Sequence, residues 1–220
     1  TYYSASVRLD AYKIYVGEGY HALYSRDLIF RDARAAGIDH IPSDFEKYMS
    51  FMRRAQEEVA PHNLRDMVML LVVVVFETLV TATLTQIPKQ RTVISTVREL
   101  VTDHAEDEAR HSVFFSELFG YLWGQLDERR RRLLGPLIPD FIVGPLAPPM
   151  EAMRGWLAQI GIDPGDIEDV IAESYPREEV QVGMARTARA TLRLFGRHGL
   201  YDDPATREAF ATHGLLPADA

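Results

Sequence analysis

Two pairs of the form Glu-x-x-His give this chain its clearest chemical signal, because residues three apart lie side by side on one face of a helix. The first pair is Glu18 and His21 in the segment VGEGYH, and the second is Glu108 and His111 in the segment DHAEDEARH. His104 lies four residues before Glu108, so the second segment carries three such side chains in one stripe. Carboxylates and imidazoles placed in this way can bind a transition-metal ion.

A further carboxylate, Glu77, lies in the middle of the segment MLLVVVVFETLVTATL, whose other residues are apolar or small and uncharged. An ionised carboxylate in such surroundings is strongly destabilising unless it is paired, protonated or bound to a metal. Dinuclear sites in helix bundles combine a Glu from each of two helices with Glu-x-x-His from each of two others. The joint pattern therefore predicts a dinuclear metal site, against the alternatives of a structural histidine at His21 and a protonated buried acid at Glu77.

The composition of the chain limits which functions are compatible with it. The chain has 220 residues, 47% of them hydrophobic, so we expect a single domain over residues 1–220. Its net charge of −8 argues against nucleic-acid binding, which favours a basic surface. There is no cysteine, so any metal must be held by His, Asp and Glu. The segment TYYSASVRLD at the start lacks the pattern of a secretory signal, and we expect a cytoplasmic protein.

The elements that must position these residues are helices, since apolar residues recur at helical spacing and no alternating strand pattern persists. The first four predicted helices cover about residues 4–35, 43–59 with Ser43 as N-cap, 64–87 with Asn63 as N-cap, and 90–122. The segment DERRRR is predicted as a charged turn, and the proline-rich GPLIPDFIVGPLAPP as a loop or short helix. Further helices are expected at about 149–160, 165–175, 177–197 and 204–212. The predicted fold class is all-α.

The apolar run from Met67 to Leu84 is close to the length of a membrane span, which needs ~20 apolar residues. Glu77 at its centre and three threonines argue against insertion, since a charge at mid-bilayer costs ~3 kcal/mol or more. We therefore expect a buried bundle helix and no membrane span.

The segment DEARH, from Asp107 to His111, resembles the D-E-x-R-H signature of ferritin-like diiron oxygenases. The additional His104 restricts the resemblance to one group within these oxygenases. An H-x3-E-x2-H helix that follows E-x-x-H and a lone Glu is similar to the AurF/CmlI-type arylamine N-oxygenases. By motif the resemblance covers roughly residues 10 to 120, and it implies a ferritin-like helical bundle with additional C-terminal helices.

The resemblance also implies a centre of two iron ions with dioxygen as co-substrate, and manganese suits the same ligand types. Glu18 and Glu108 would bridge the two ions, and catalysis would depend on these two residues and on His104. His21 would bind one iron. The ligands of the other iron would be Glu77, His104 and His111.

Further carboxylates and an arginine would support or complete this ligand set. By the resemblance, Asp107 would accept a hydrogen bond from a ligand imidazole and so fix its tautomer, and Arg110 would neutralise the acidic layer. The family also takes a Glu from a helix that precedes the first Glu-x-x-His. Asp10 lies about two turns from Glu18 on the same helix, too far along the axis to share its metal. We therefore expect an N-terminal helix upstream to supply the further ligand.

The activity implied is oxidation of an amine through hydroxylamine and nitroso stages to a nitro group, in specialised metabolism such as antibiotic biosynthesis. A diiron C–H hydroxylase or desaturase is the alternative on the same scaffold, since fold and metal do not determine the substrate. An iron-storage or iron-binding bundle is the alternative from another class, and the additional histidine argues against it because tight ligation retains the metal. The expected partners are a small-molecule amine or other organic substrate, an external electron donor and, from the family, a second copy in a homodimer.

A stripe of arginines on the predicted 177–197 helix is the remaining feature with a functional alternative. Its members are Arg186, Arg189, Arg193 and Arg197. Either these arginines form a solvated basic face, or one of them binds a carboxylate group of the substrate.

Overall fold

The computed structural model describes residues 4–35, 37–38 and 45–216, and this part of the chain consists of helices joined by short turns. The helices are α1 (Ala5–Ala35), α2 (Phe45–Val59), α3 (Arg65–Leu84), α4 (Ser95–Gln125), α5 (Glu128–Leu134), α6 (Ile138–Leu146), α7 (Met150–Gln159), α8 (Pro164–Ser174), α9 (Arg177–Thr187), α10 (Arg189–Arg197) and α11 (Pro204–Thr212). No β-strand occurs within the described ranges, and the prediction of an all-α protein is confirmed.

Helix α3 forms the centre of the fold, because most of its residues are apolar and it packs against several neighbours. It packs most extensively against α4, and it also packs against α2, α6 and α10. Val68, Val74 and Val75 on this helix are completely shielded from solvent. A helix that is apolar all round belongs in a core. The aromatic side chains that extend this core are Phe119, Phe141, Phe195 and Phe210.

Within the part of the chain that the structure describes, two segments have the length and hydropathy of a membrane span, Arg65–Lys89 and Glu128–Gln159. The first contains α3, and core helices of soluble proteins have the same length and composition. The second is divided among α5, α6 and α7, with turns between them. The contacts of α3 with α2, α4, α6, α9 and α10 are those expected for the buried bundle helix predicted at Met67–Leu84.

The start of α3 differs from the prediction in its capping residue. Asn63 is not the N-cap; that position is taken by Leu64, which makes no side-chain hydrogen bond to the helix. Asn63 instead has a left-handed backbone, with φ 58°, and its N–H bonds to Ala60 O at the end of the turn Ala60–His62. Asparagine tolerates this conformation because its short polar side chain can bond locally. The cap predicted at Ser43 lies outside the described residues.

The segment predicted as a charged turn is helix α5, so that prediction is wrong. Asp127 caps the helix by accepting a hydrogen bond from the N–H of Arg130 at 2.8 Å. Glu128 and Arg132 form an ion pair one turn apart, which also favours the helix. A run of arginines has good helix propensity once such a cap precedes it.

The later helices follow the prediction, except that one predicted helix is divided in two. The proline-rich segment forms a turn at Gly135–Leu137 and the short helix α6, in which Pro139 occupies the first turn, where its missing N–H costs nothing. The helix predicted at 177–197 is divided at Ala188 into α9 and α10. Helices α7, α8 and α11 lie where they are predicted.

Threonine hydroxyls join α3 to its neighbours at the level of Glu77. Thr81 Oγ1 lies 2.9 Å from Glu77 O and 3.1 Å from Glu108 O, so it connects α3 with α4. Thr78 Oγ1 accepts a hydrogen bond from Thr191 Oγ1 at 2.8 Å, which connects α3 with α10. The backbone that carries the two buried glutamates is therefore held by hydrogen bonds as well as by apolar packing.

We expect Thr81→Val to lower the free energy of unfolding of the metal-free protein by about 1 kcal/mol, because the inter-helix hydrogen bond is lost while the shape is kept. Thr83→Val is the matched control, since Thr83 Oγ1 bonds only within its own helix, to Leu79 O at 3.3 Å. Urea denaturation of both variants measures the difference. Equal destabilisation by the two substitutions would contradict the role given to Thr81.

Candidate metal centre

The six residues predicted as ligands come together where α1, α3 and α4 meet. They are Glu18 and His21 on α1, Glu77 on α3, and His104, Glu108 and His111 on α4. On α1 and α4 the spacing of three or four residues turns the ligands to one side of the helix. The buried members are His21, Glu77, Glu108 and His111. His104 has 15% of its side chain exposed and Glu18 has 42%, so the cluster opens toward solvent on the α1 side.

The two Glu-x-x-His pairs form the tightest part of the cluster. One potential ligand atom from each of Glu18, His21, Glu108 and His111 lies within 4.8 Å of the other three. His111 Nδ1 is 2.8 Å from Glu18 Oε1, and His21 Nδ1 is 3.1 Å from Glu108 Oε1. Each pair on one helix therefore faces the pair on the other helix.

Glu77 and His104 lie at the edges of this group of four. Glu77 Oε2 is 3.7 Å from His111 Nδ1. His104 Nε2 is 3.0 Å from Glu108 Oε1, and its ring centroid is 3.9 Å from that of His21. All six side chains thus converge, while their action as ligands stays a prediction.

Several polar atoms in the cluster are buried without a hydrogen-bond partner. These atoms are Glu18 Oε1, His21 Nδ1, Glu77 Oε2, Glu108 Oε2 and His111 Nδ1. The short contact between His111 and Glu18 is not aligned as a hydrogen bond, so it does not satisfy either atom. Buried polar atoms are nearly always paired, and leaving one unpaired costs about 1–3 kcal/mol. Oxygen and nitrogen atoms that converge unpaired on one place fit cations, and a bound cation would explain how Glu77 can lie in an apolar helix.

A comparison with known families agrees with this geometry. The family model described as P-aminobenzoate N-oxygenase AurF matches residues 8–199. The chain belongs to the AurF family. No curated protein and no solved structure gives a match. AurF-family proteins are diiron oxygenases, so the resemblance stated from the sequence is confirmed, and the chain is a member of an enzyme family.

Two carboxyl groups of this AurF-family site, those of Glu77 and Glu108, have raised pKa values. Burial raises the pKa of Glu77 from 4.5 to about 7. Burial, together with repulsion from Glu77 and Glu18, also raises the pKa of Glu108. Binding of a metal requires ionised carboxylates, so we infer that metal uptake releases protons from this pair.

Two of the imidazoles, those of His104 and His111, have lowered pKa values, which favours their neutral form. Burial and the neighbouring His21 lower the pKa of His104. Burial also lowers the pKa of His111, although Glu18 acts in the opposite direction. A neutral imidazole keeps the lone pair with which it binds a metal. The donor set of carboxylates and neutral imidazoles suits iron or manganese.

Asp107 and Arg110 lie directly behind one of the imidazoles. Asp107 Oδ2 is 3.4 Å from His21 Nε2, and Arg110 forms an ion pair with the same carboxylate. Although burial acts the other way, Arg110 and His21 hold the pKa of Asp107 below its usual range. An ionised carboxylate can only accept, so His21 Nε2–H donates to Asp107, and Nδ1 faces the cluster. This contact has the form expected from the resemblance.

Tyr24 is a neighbour of the cluster that the sequence analysis did not single out. Its ring lies edge-on to His21, with centroids 5.6 Å apart, and to His104, with centroids 5.8 Å apart. Burial, with the charges of nearby acids including Asp107 and Glu108, raises the pKa of Tyr24 to about 12. The available signal was its position three residues after His21, which places both on one face of α1.

Two other sequence features lie apart from the cluster. Asp10 forms an ion pair with Lys13 at 2.9 Å on the exposed part of α1, in agreement with its exclusion as a ligand. The arginines of the C-terminal stripe are all exposed, as expected for a solvated basic face. The additional carboxylate expected from an N-terminal helix stays a prediction.

We expect Glu77→Gln to stabilise the metal-free protein, and increasingly so as the pH rises through the window from 4.5 to about 7. Because the pKa of Glu77 is higher in the folded than in the unfolded protein, protonation of Glu77 favours folding. The contribution of protonated Glu77 to the free energy of unfolding is therefore complete at low pH and is lost as the carboxyl group ionises. The gain should reach on the order of 1–3 kcal/mol. Urea denaturation in chelator at several pH values measures it.

Glu117→Gln, at an exposed position of α4, is the control and should give no such trend. A stability difference between Glu77→Gln and the unaltered chain that stays constant with pH would contradict the predicted burial cost.

Proposed function

We propose that this protein is a non-heme diiron oxygenase that uses dioxygen to oxidise an amine through hydroxylamine and nitroso stages to a nitro compound. The observation that carries the proposal is the six-residue cluster with His104 against Glu108, in a chain of the AurF family. The additional imidazole distinguishes this ligand set from one built from Glu and the two Glu-x-x-His pairs alone.

The contacts in the cluster support a division of the ligands between two ions. Glu18 Oε1 lies 3.3 Å from His21 Nδ1 and 2.8 Å from His111 Nδ1. Glu108 Oε1 likewise lies close to both His21, at 3.1 Å, and His104, at 3.0 Å. Each of these glutamates thus stands between imidazoles of different helices, which is where a bridging carboxylate belongs. Both glutamates would therefore hold the two irons jointly, and His21 would hold one of them. Glu77, His104 and His111 would hold the other iron.

Bound iron ions in the reduced state would supply dioxygen activation, and the protein supplies geometry and a dry surrounding. The Glu77 side chain is buried, and Val74 and Val75 on the same helix are fully shielded from solvent. Asp107 orients His21 from behind, so that its free nitrogen faces the cluster. The exposed part of Glu18 leaves the α1 side as the direction from which a small molecule can approach.

The remaining parts of the proposal concern partners and location. Reduced iron must be regenerated in each cycle, so an external electron donor is required. We propose a small amine as substrate in specialised metabolism, a cytoplasmic location, and a homodimer. The acidic net charge of −8 is consistent with the absence of a nucleic-acid partner.

The direct test is turnover of the reduced, iron-loaded protein with aryl and alkyl amines. We expect dioxygen consumption coupled to hydroxylamine, nitroso and nitro products. A product hydroxylated at carbon would contradict N-oxygenation, and accumulation of many iron ions without any organic product would contradict an oxygenase.

We expect His104→Ala to retain much of its iron, because Glu77, Glu108 and His111 remain, but to lose amine oxidation. The missing imidazole leaves a position that water can fill, so the fold should be kept. Stopped-flow spectra after dioxygen is added to the reduced variant, with amine products assayed in parallel, measure the effect. His62→Ala, a histidine in a turn away from the cluster, is the control. Amine oxidation by His104→Ala at the rate of the unaltered chain would show that His104 is not required for the reaction.

A further inference from the structure

Tyr24 touches two imidazoles that come from different helices. It lies on α1, one turn after His21, and its ring plane is inclined by 60° to that of His21 and by 83° to that of His104. Both are edge-to-face arrangements, in which the positive edge of one ring meets the face of the other. The His21 and His104 rings are themselves only 3.9 Å apart. One tyrosine ring therefore packs against a pair of closely spaced imidazoles.

His104 is restrained differently from His21. The Nε2 of His21 has Asp107 behind it, which fixes the ring from outside the cluster. The contacts described for His104 are a hydrogen bond to Glu108, which is itself a proposed metal ligand, and the rings of His21 and Tyr24. If Glu108 turns its oxygens to a metal, the ring contacts are what remains to orient His104. Tyr24 is also half-buried, and 15% of the His104 side chain is exposed.

We propose that Tyr24 is a positioning residue, whose ring holds the His104 imidazole in place for one of the two metal ions. This inference rests on the proposed diiron function. It requires the ring of Tyr24 and not its hydroxyl group. Tyr24→Phe should therefore bind metal as the unaltered chain does. Tyr24→Leu should lower the affinity for the ion that depends on His104 and leave the affinity for the other ion unchanged.

Anaerobic titration of the full chain with Fe(II), and with Co(II) as a spectroscopic probe, tests the inference. We expect two binding events in the unaltered chain and in Tyr24→Phe. In Tyr24→Leu one event should weaken by roughly 10- to 100-fold, as for other residues that orient metal ligands, and the visible Co(II) bands of that ion should change. Tyr20→Leu is the matched control, because Tyr20 lies one turn earlier on α1 with 65% of its surface exposed.

Each other outcome overturns the inference in a recognisable way. Two unchanged events in Tyr24→Leu would show that the ring is not needed, and equal loss in Tyr24→Phe would assign the effect to the hydroxyl group. Loss of both events together with a lower melting temperature of the metal-free variant would indicate a general structural role. Failure of the unaltered chain to bind two ions would instead overturn the proposed function, and this inference with it.

Discussion

The burial of Glu77 and Glu108 beside Glu18 is the constraint on which the rest of the structure depends. Carboxylates removed from water repel one another, and the raised pKa values of Glu77 and Glu108 express that cost. The helix that carries Glu77 is apolar on nearly every side, so the carboxylate has little alternative to facing the cluster. Cations at this place would remove both the repulsion and the unpaired polar atoms, since metal binding is linked to folding in such sites.

The surrounding elements are arranged to keep that cluster in one geometry. Thr81 connects the backbone at Glu77 to the backbone at Glu108, so that α3 and α4 cannot slide past each other freely. Asp107 holds the far nitrogen of His21, and Tyr24 lies against the rings of both His21 and His104. Rigid helices supply the spacing, and these contacts supply the orientation of the individual side chains.

Much of the site could be predicted from the sequence, because most of its residues are related by their spacing along a single helix. Helical spacing of three or four residues places the Glu-x-x-His pairs and His104 on common faces whatever the tertiary structure. Glu77 was recognisable because a lone carboxylate in an apolar helix needs a partner. Tyr24 could not be assigned in this way, since its contact with His104 joins two helices. Asn63 and the α5 segment were misjudged because several capping and turn conformations are compatible with the same residues.

Helix α1 illustrates why pattern alone does not determine which face is buried. Its apolar residues Leu9, Tyr12, Val16 and Leu23 recur at helical spacing, yet more than half of each is exposed. The inward face is instead marked by His21, which is buried, and by Glu18. In this helix the polar residues identified the inner side better than hydrophobic periodicity did.

A crystal structure of the iron-loaded protein tests the central claim most directly. The account predicts two iron ions roughly 3.5–4 Å apart, as in other two-metal sites. They should be bound by Glu18, His21, Glu77, His104, Glu108 and His111. A single ion, or two ions with Glu77 or His104 turned away from both, would contradict it.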